Sequence, residues 1–356
     1  MENITAASPT SNVTLLNGTS HNTTEEFYDD FEDDATSHLN YFTLVVYSLA
    51  FLLGTTGNGL VIWITIFKMK KTVNVIWFLN LSIADFTFTL FLPLSIVYLA
   101  NDLNWVFGTF MCKLNSTIAF INLFASVFLL TVISIDRCVS VIFPVWSQNH
   151  RTPRLALFVV TAVWILAIIL SLPFFVFRDV LEYDDGTHVC YNNYALGDSN
   201  PDIGKSRHKG TIVYRFIFGF IIPFTIIVMC YSVIVFRIRR NHMTTSTKPF
   251  TVIIAVIVSF FICWVPYHIF SFLELHVLSQ YDDYLSHVLR VGIPLSSSLA
   301  FMNSCVNPFL YVFIGRDFKE KFSQSMHSIF ERAFNEDSVN RELKSKTKST
   351  CDSQLV

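Results

Sequence analysis

This sequence is short of charge. Asp, Glu, Lys and Arg make up only 15% of its 356 residues, whereas 52% are hydrophobic and 36 are Phe. Soluble domains carry about 25% charged residues, so the shortage excludes one or two ordinary soluble domains and points to a chain that crosses a membrane several times. A formal net charge of −2 provides no basic field for nucleic acid, and no nucleic-acid partner is expected. Cysteine is also sparse: seven residues, an odd count and too few for a disulfide scaffold. The first 40 residues have no apolar core behind a basic start, so no cleavable signal peptide is expected, and the first hydrophobic helix has to direct its own insertion. A metal-ligand cluster, a nucleophile elbow and a P-loop are missing too, which leaves an enzymatic reading without chemistry.

What the sequence has instead is seven long apolar segments, over residues 41–67, 75–100, 109–142, 155–177, 210–238, 249–277 and 286–314. Each is near or above the roughly 20 residues a bilayer-spanning helix needs. Lys68, Lys70 and Lys71, then Arg151 and Arg154, then Arg237, Arg239, Arg240 and Lys248, and last Arg316, Lys319 and Lys321 fall on one side. Short cytoplasmic connections collect Lys and Arg, so that side is expected to face the cytoplasm. Four N-x-S/T sequons, at Asn3, Asn12, Asn17 and Asn22, crowd the tail on the other side and read as extracellular glycosylation acceptors. Asn80 and Asn115 also begin sequons, but they lie in or beside apolar runs and are expected to stay unmodified.

The expected architecture is an all-α plasma-membrane protein with its N-terminus outside. A disordered glycosylated tail (1–40) precedes a seven-helix bundle (41–314). A short amphipathic helix on the inner-leaflet lipid (315–332) and a cytoplasmic tail (333–356) follow. Seven spans divide poorly into two halves and show no internal repeat, which disfavours a transporter. In the last tail Ser338, Ser345, Thr347, Ser349, Thr350 and Ser353 are candidate phosphate acceptors, or simply the residues disordered tails contain. In the first tail, EEFYDDFEDD (25–34) is either a solvated acidic stretch or an electrostatic lure for a basic protein ligand, and Tyr28 among its acids is a sulfation candidate.

The last span contains FMNSCVNPFLYVF (301–313), in which Asn303, Asn307, Pro308 and Tyr311 interrupt an apolar run. An unsatisfied polar group in hydrocarbon costs several kcal/mol, and Pro308 removes an amide donor, so this segment must be kinked and must face a polar interior. Asp85, mid-span in the second segment, supplies that polarity; a carboxylate there marks an ion path, a relay or a switch. Asn58, Asn122, Ser126, Asn303 and Asn307 are positioned to face it, as ligands for a small cation such as sodium or as members of a water-filled network. Asp136 and Arg137, at the cytoplasmic end of the third segment, form either an interfacial snorkelling pair or a latch.

Phe260 and Trp264 lie one turn apart beside Pro266, as a hinge element or as ordinary aromatic core. Arg215 is a second intramembrane charge, with Arg178, Glu274 and Arg290 at the outer ends of neighbouring segments. Arg178 and Arg290 either mark interfaces or join Arg215 in a basic rim, whose guanidinium forks would suit the free C-terminal carboxylate of a ligand. Cys112 and Cys190 are the two cysteines mapped to the outer side, where an oxidising compartment allows them to pair.

Together GNGLVIW, LNLSIADF, IDRC, Trp164, Pro223 with Tyr231, CWVPYH and NPFLY resemble the rhodopsin-type (class A) G protein-coupled receptors, over roughly residues 41–330. FKMKKTVNVIWFLNLSIADF, WVFGTFMCK, FPVWSQNHRTPR and SSLAFMNSCVNPFLYVFIGRDFKE are similar to the chemoattractant branch, and MKKTVN, VFRD with CYNN, and PYH followed by LEL to its chemerin receptors. The resemblance implies a sodium pocket at Asp85, Asn122, Ser126, Asn303 and Asn307, a latch at Asp136 and Arg137, a toggle at Trp264, and Tyr231 and Tyr311 closing around Arg137 on activation. It also implies a secreted chemerin-like peptide or protein ligand contacting Arg215, Arg178 and Glu274, inhibitory-type G proteins in leukocyte chemotaxis and inflammation, and arrestin on the phosphorylated tail. Cys138 departs from the general Tyr but matches this branch, whereas Phe120 stands where formyl-peptide receptors place an Asp, which argues against N-formyl peptides.

Overall fold

The computed structural model of the protein describes residues 22–240, 248–280 and 282–314. It is built from helices α1 (Asn22–Phe67), α2 (Val73–Ala100), α3 (Gly108–Ile142), α4 (Pro144–His150), α5 (Pro153–Val176), α6 (Pro201–Phe216), α7 (Ile222–Arg240), α8 (Lys248–Ser279) and α9 (Asp283–Ile314). A π-helical turn, Ile217–Ile221, joins α6 to α7, and a hairpin of β1 (Arg178–Glu182) and β2 (His188–Asn192) follows α5. Among the described residues seven helices are long and apolar enough to cross a membrane: α1, α2, α3, α5, the joined α6–α7, α8 and α9. The expected amphipathic helix at 315–332 and the tail phosphorylation sites lie outside the described residues, as do Asn3, Asn12 and Asn17.

Helix starts follow local chemistry. Thr72 and Thr152 each accept a hydrogen bond from the amide three residues on, at 3.4 Å and 3.3 Å, and Pro153 occupies the first turn where its missing N–H is no loss. The same code explains a difference from expectation. The fifth span begins at Pro201 rather than at 210, because Asn200 caps it by accepting from the Asp202 amide at 2.9 Å and Asp202 complements the helix dipole. A polar first two turns hid this start from hydropathy. The first helix likewise begins at Asn22, inside the tail expected to be disordered.

The distribution of polarity is inverted relative to a soluble protein. Phe158, Met229 and Ile262 are 74%, 63% and 62% exposed on the outer surface, while Asn58, Ser82, Asp85 and Thr89 are fully buried. Exposed apolar faces of that size need a lipid solvent, and interior polar groups need one another. α1 packs on α2 and α9, α3 on α2, α5 and α7, and α8 on α9, which encloses the polar groups.

At one end the hairpin lies over α3. Its register pairs Val180 with Cys190, and Cys190 is disulfide-bonded to Cys112 near the start of α3, with Cα atoms 5.8 Å apart. Buried Trp105 braces this bond, donating from Nε1 to the Gly108 carbonyl at 2.9 Å. Gly108 has φ +74°, a conformation that favours glycine, and so accounts for the Gly in WVFG.

Candidate functional site

Three sites lie along the bundle axis, and the central one is built around Asp85. Asn122 donates to Asp85 Oδ1 at 2.9 Å and Asn307 to Oδ2 at 2.8 Å, so the carboxylate joins α2 to α3 and α9. Ser304 donates to Asn122 Oδ1 at 3.3 Å. Asn58 does not donate to Asp85: its Nδ2 bonds the backbone carbonyls of Gly54 and Ser304, at 2.9 Å and 2.8 Å. The reason is Pro308, which lacks the amide that would bond the carbonyl four residues earlier, that of Ser304. Ser304 is thus a member that the sequence reading missed, although counting one turn back from Pro308 reaches it.

Ser126 Oγ and the amide oxygens of Asn58, Asn303 and Asn307 are buried without a hydrogen-bond partner among the described residues. Orphaned buried oxygens beside a carboxylate are the donor set of a hard monovalent cation or of water. The residues present therefore fit a sodium ion.

Towards the disulfide end a narrow cavity opens, lined by Asn115, Phe120, Trp264, Tyr267, Ser297 and Phe301 among others. Trp264 is buried at its floor, with Phe260 5.9 Å away between ring centroids, and Pro266 lies within the same helix. Arg215 is fully buried behind two of the cavity walls. Its guanidinium carbon lies 4.7 Å from the Tyr267 ring and 5.5 Å from Phe120, and Nη2 donates to Ser271 Oγ at 2.8 Å. Aromatic faces stabilise a cation electrostatically, which makes burial tolerable so far from water.

The rest of the expected basic rim is placed differently. Arg178 is buried in the hairpin, donating to Cys190 O at 3.1 Å and Asn192 Oδ1 at 2.9 Å, and it braces the disulfide strand. Glu274 lies 3.7 Å from His208 Nε2, and the His208 ring stacks on Tyr194 at 4.4 Å. Arg290 is exposed on α9.

At the opposite end Asp136 lies 3.3 Å from Arg137, so the adjacent charges do pair. Arg137 also donates to Asn74 at the start of α2, and Arg151, after α4, joins the same cluster. Tyr231 packs half-buried against the main apolar core. Tyr311 belongs to α9, but its side chain, like those of Tyr28 and Asn22, lies outside the described residues. The interior sequons are closed off: Asn80 accepts from Trp164 Nε1 at 3.1 Å, and Asn115 donates to Ser95 Oγ at 3.2 Å.

These features agree with comparisons to known proteins. Residues 57–311 match the model of the 7 transmembrane receptor (rhodopsin family). The chain is 49% identical over 306 residues to the rat chemerin-like receptor 1, covering 83% of this chain and 81% of that protein. Against the human chemerin-like receptor 1 the identity is 48%, covering 83% and 80%. Against the human chemerin-like receptor 2 it is 44% over 318 residues, covering 88% of each. The chain therefore belongs to the rhodopsin family of G protein-coupled receptors, in the branch of the chemerin-like receptors.

Proposed function

We propose that this protein is a plasma-membrane receptor for a secreted, chemerin-like chemoattractant peptide or protein, with its N-terminus and hairpin outside the cell. It signals through inhibitory-type G proteins in leukocyte chemotaxis and inflammation, with arrestin binding the phosphorylated tail. The observation that carries the ligand class is Arg215, a full positive charge held behind the cavity walls by Phe120, Tyr267 and Ser271. A ligand whose terminal carboxylate reaches this guanidinium gains a charge-assisted hydrogen bond in a low-dielectric site. The acidic stretch 25–34 attracts basic parts of the same ligand.

Binding at the cavity shifts a two-state bundle. The ligand presses on Trp264 below it, the kinks at Pro266 and Pro308 open the cytoplasmic half, and Arg137 leaves Asp136 for the C-terminal helix of the G protein α subunit. Sodium at Asp85, Asn122, Ser126, Asn303 and Asn307 favours the resting arrangement by tying α2, α3 and α9 together. A swing from 1:99 to 99:1 requires about 10⁴-fold tighter binding to the active form.

The test is nucleotide exchange on inhibitory-type α subunits with a panel of chemerin, anaphylatoxin and formyl peptides. Exchange with chemerin peptides, lost by about 10²-fold in potency for Arg215→Ala and by a similar factor for a C-terminally amidated peptide, is the expected result. Uptake of ligand without exchange would make the protein a scavenger. Unchanged potency in Arg215→Ala would remove the carboxylate anchor.

A further inference from the structure

Asp136 is held by two arginines, and the closer one is not its sequence neighbour. Arg151, the residue just after α4, places Nε 2.7 Å from Oδ1 and Nη2 2.9 Å from Oδ2 of Asp136, a two-pronged contact on both carboxylate oxygens. Arg137 reaches Oδ2 alone, at 3.3 Å. Nη2 of each arginine then donates to the same acceptor, Asn74 Oδ1. The Asp136 and Arg137 side chains are 11% and 14% exposed and that of Arg151 27%, so salt screens the cluster only in part. A bidentate guanidinium–carboxylate contact is stronger than a single longer one, and two like charges sharing one amide oxygen repel each other. Arg151 and Arg137 therefore compete for one carboxylate.

We propose that Arg151 is a positioning residue of the latch: by occupying Asp136 it keeps the hold on Arg137 loose. The segment between α3 and α5 thereby sets how readily the receptor leaves its resting state. This inference rests on the signalling reading above, which made Asp136 and Arg137 a latch. It also reverses the naive expectation that every contact in the cluster favours rest. Without Arg151, both oxygens of Asp136 become available to Arg137, and the resting state gains.

Full-length receptor, matched for surface level, is assayed without ligand in two ways. One reads basal nucleotide exchange on inhibitory-type G proteins. The other reads the separation of fluorescent probes on the cytoplasmic ends of α3 and α8, which needs no G protein. Arg151→Gln is expected to lower basal exchange and the open fraction about threefold to tenfold, and Arg151→Lys, which offers a point contact instead of a fork, to fall between it and the parent. Asp136→Asn raises both.

The double variant Arg151→Gln/Asp136→Asn is expected to match Asp136→Asn, because both prongs of the Arg151 contact that compete with Arg137 fall on that carboxylate and Asn74 is only a shared neutral acceptor; a variant that merely folded badly would not be restored by a second change. An unchanged or larger open fraction in Arg151→Gln overturns the proposal, as does a double variant that stays at the Arg151→Gln level. If the parent gives no exchange even with chemerin peptide, the signalling reading fails, and the probe separations still decide the role of Arg151.

Discussion

Asn58 Nδ2 lies 2.8 Å from the carbonyl of Ser304, the group that Pro308 leaves without an amide partner. A side chain of α1 thus completes the hydrogen bonding of α9 where Pro308 interrupts it. Gly57, the preceding residue, brings α1 against Pro308 so closely that a Cβ there would lie 3.1 Å from the proline ring. The proline site in the last helix is accordingly a joint made by two helices.

That joint predicts a coupled pair of substitutions. Asn58→Ala strands the Ser304 carbonyl and should destabilise the receptor by about 1–3 kcal/mol. Pro308→Ala returns the missing amide, so the same Asn58 change should be distinctly milder in that background. Melting of the detergent-purified single and double variants checks this. Equal losses in both backgrounds would show that Asn58 does not serve the carbonyl that Pro308 leaves free.

Gly54 predicts a second pair. A Cβ on it would run into the Thr89 methyl and lie 3.3 Å from Cys305 Sγ. Gly54→Ala should therefore lower stability by about 1–3 kcal/mol through overpacking. Adding Thr89→Ser removes the clashing methyl while keeping the hydroxyl that accepts from Thr55 at 3.3 Å. Most of the lost stability should return, as read by thermal melting.

The oxygens around Asp85 predict an ion effect measurable without any agonist. Sodium chloride, compared with choline chloride at equal ionic strength, should raise the melting temperature of the parent, because a ligand of the folded state stabilises it by mass action. Asp85→Asn should flatten that response, and Ser126→Ala should weaken it. The same sodium dependence in Asp85→Asn would leave water as the occupant.

Much of this molecule was legible in sequence because a bilayer permits so few solutions. Long apolar segments had to be helices, Asp85 had to find polar company, and two cysteines mapped to one compartment had to be considered together. Asn122 and Asn307 were found because they lie on the inward faces of segments already committed to the interior. What escaped depended on backbone and on loops. Ser304 contributes a carbonyl as well as its hydroxyl, and composition does not report carbonyls. Arg178 looked like a rim charge because nothing local shows that it folds back onto β2. Arg151 could be counted only as a positive loop residue, since its partner lies across the intervening helix α4. The early start at Pro201 was written in Asn200, Pro201 and Asp202, a capping signal that a hydrophobicity scan does not register.

The π turn at Ile217–Ile221 has a consequence for the buried arginine above it. In an uninterrupted α-helix, residues advance by about 100° each, and Arg215 and Ile227 would point about 120° apart. A π turn absorbs about one residue, which reduces the difference to about 20°. Arg215 and Ile227 are both buried, as is Gly219 between them, where a Cβ would meet Leu123 and Phe124 of α3 at 3.5 Å. One wide turn thus sets the rotational phase of α6 relative to α7 in the fifth span. Deleting a single residue from it would leave an ordinary α-helix with Arg215 still facing the aromatic cage, whereas winding the turn into α-helix with every residue kept would swing the guanidinium by about 100° towards hydrocarbon.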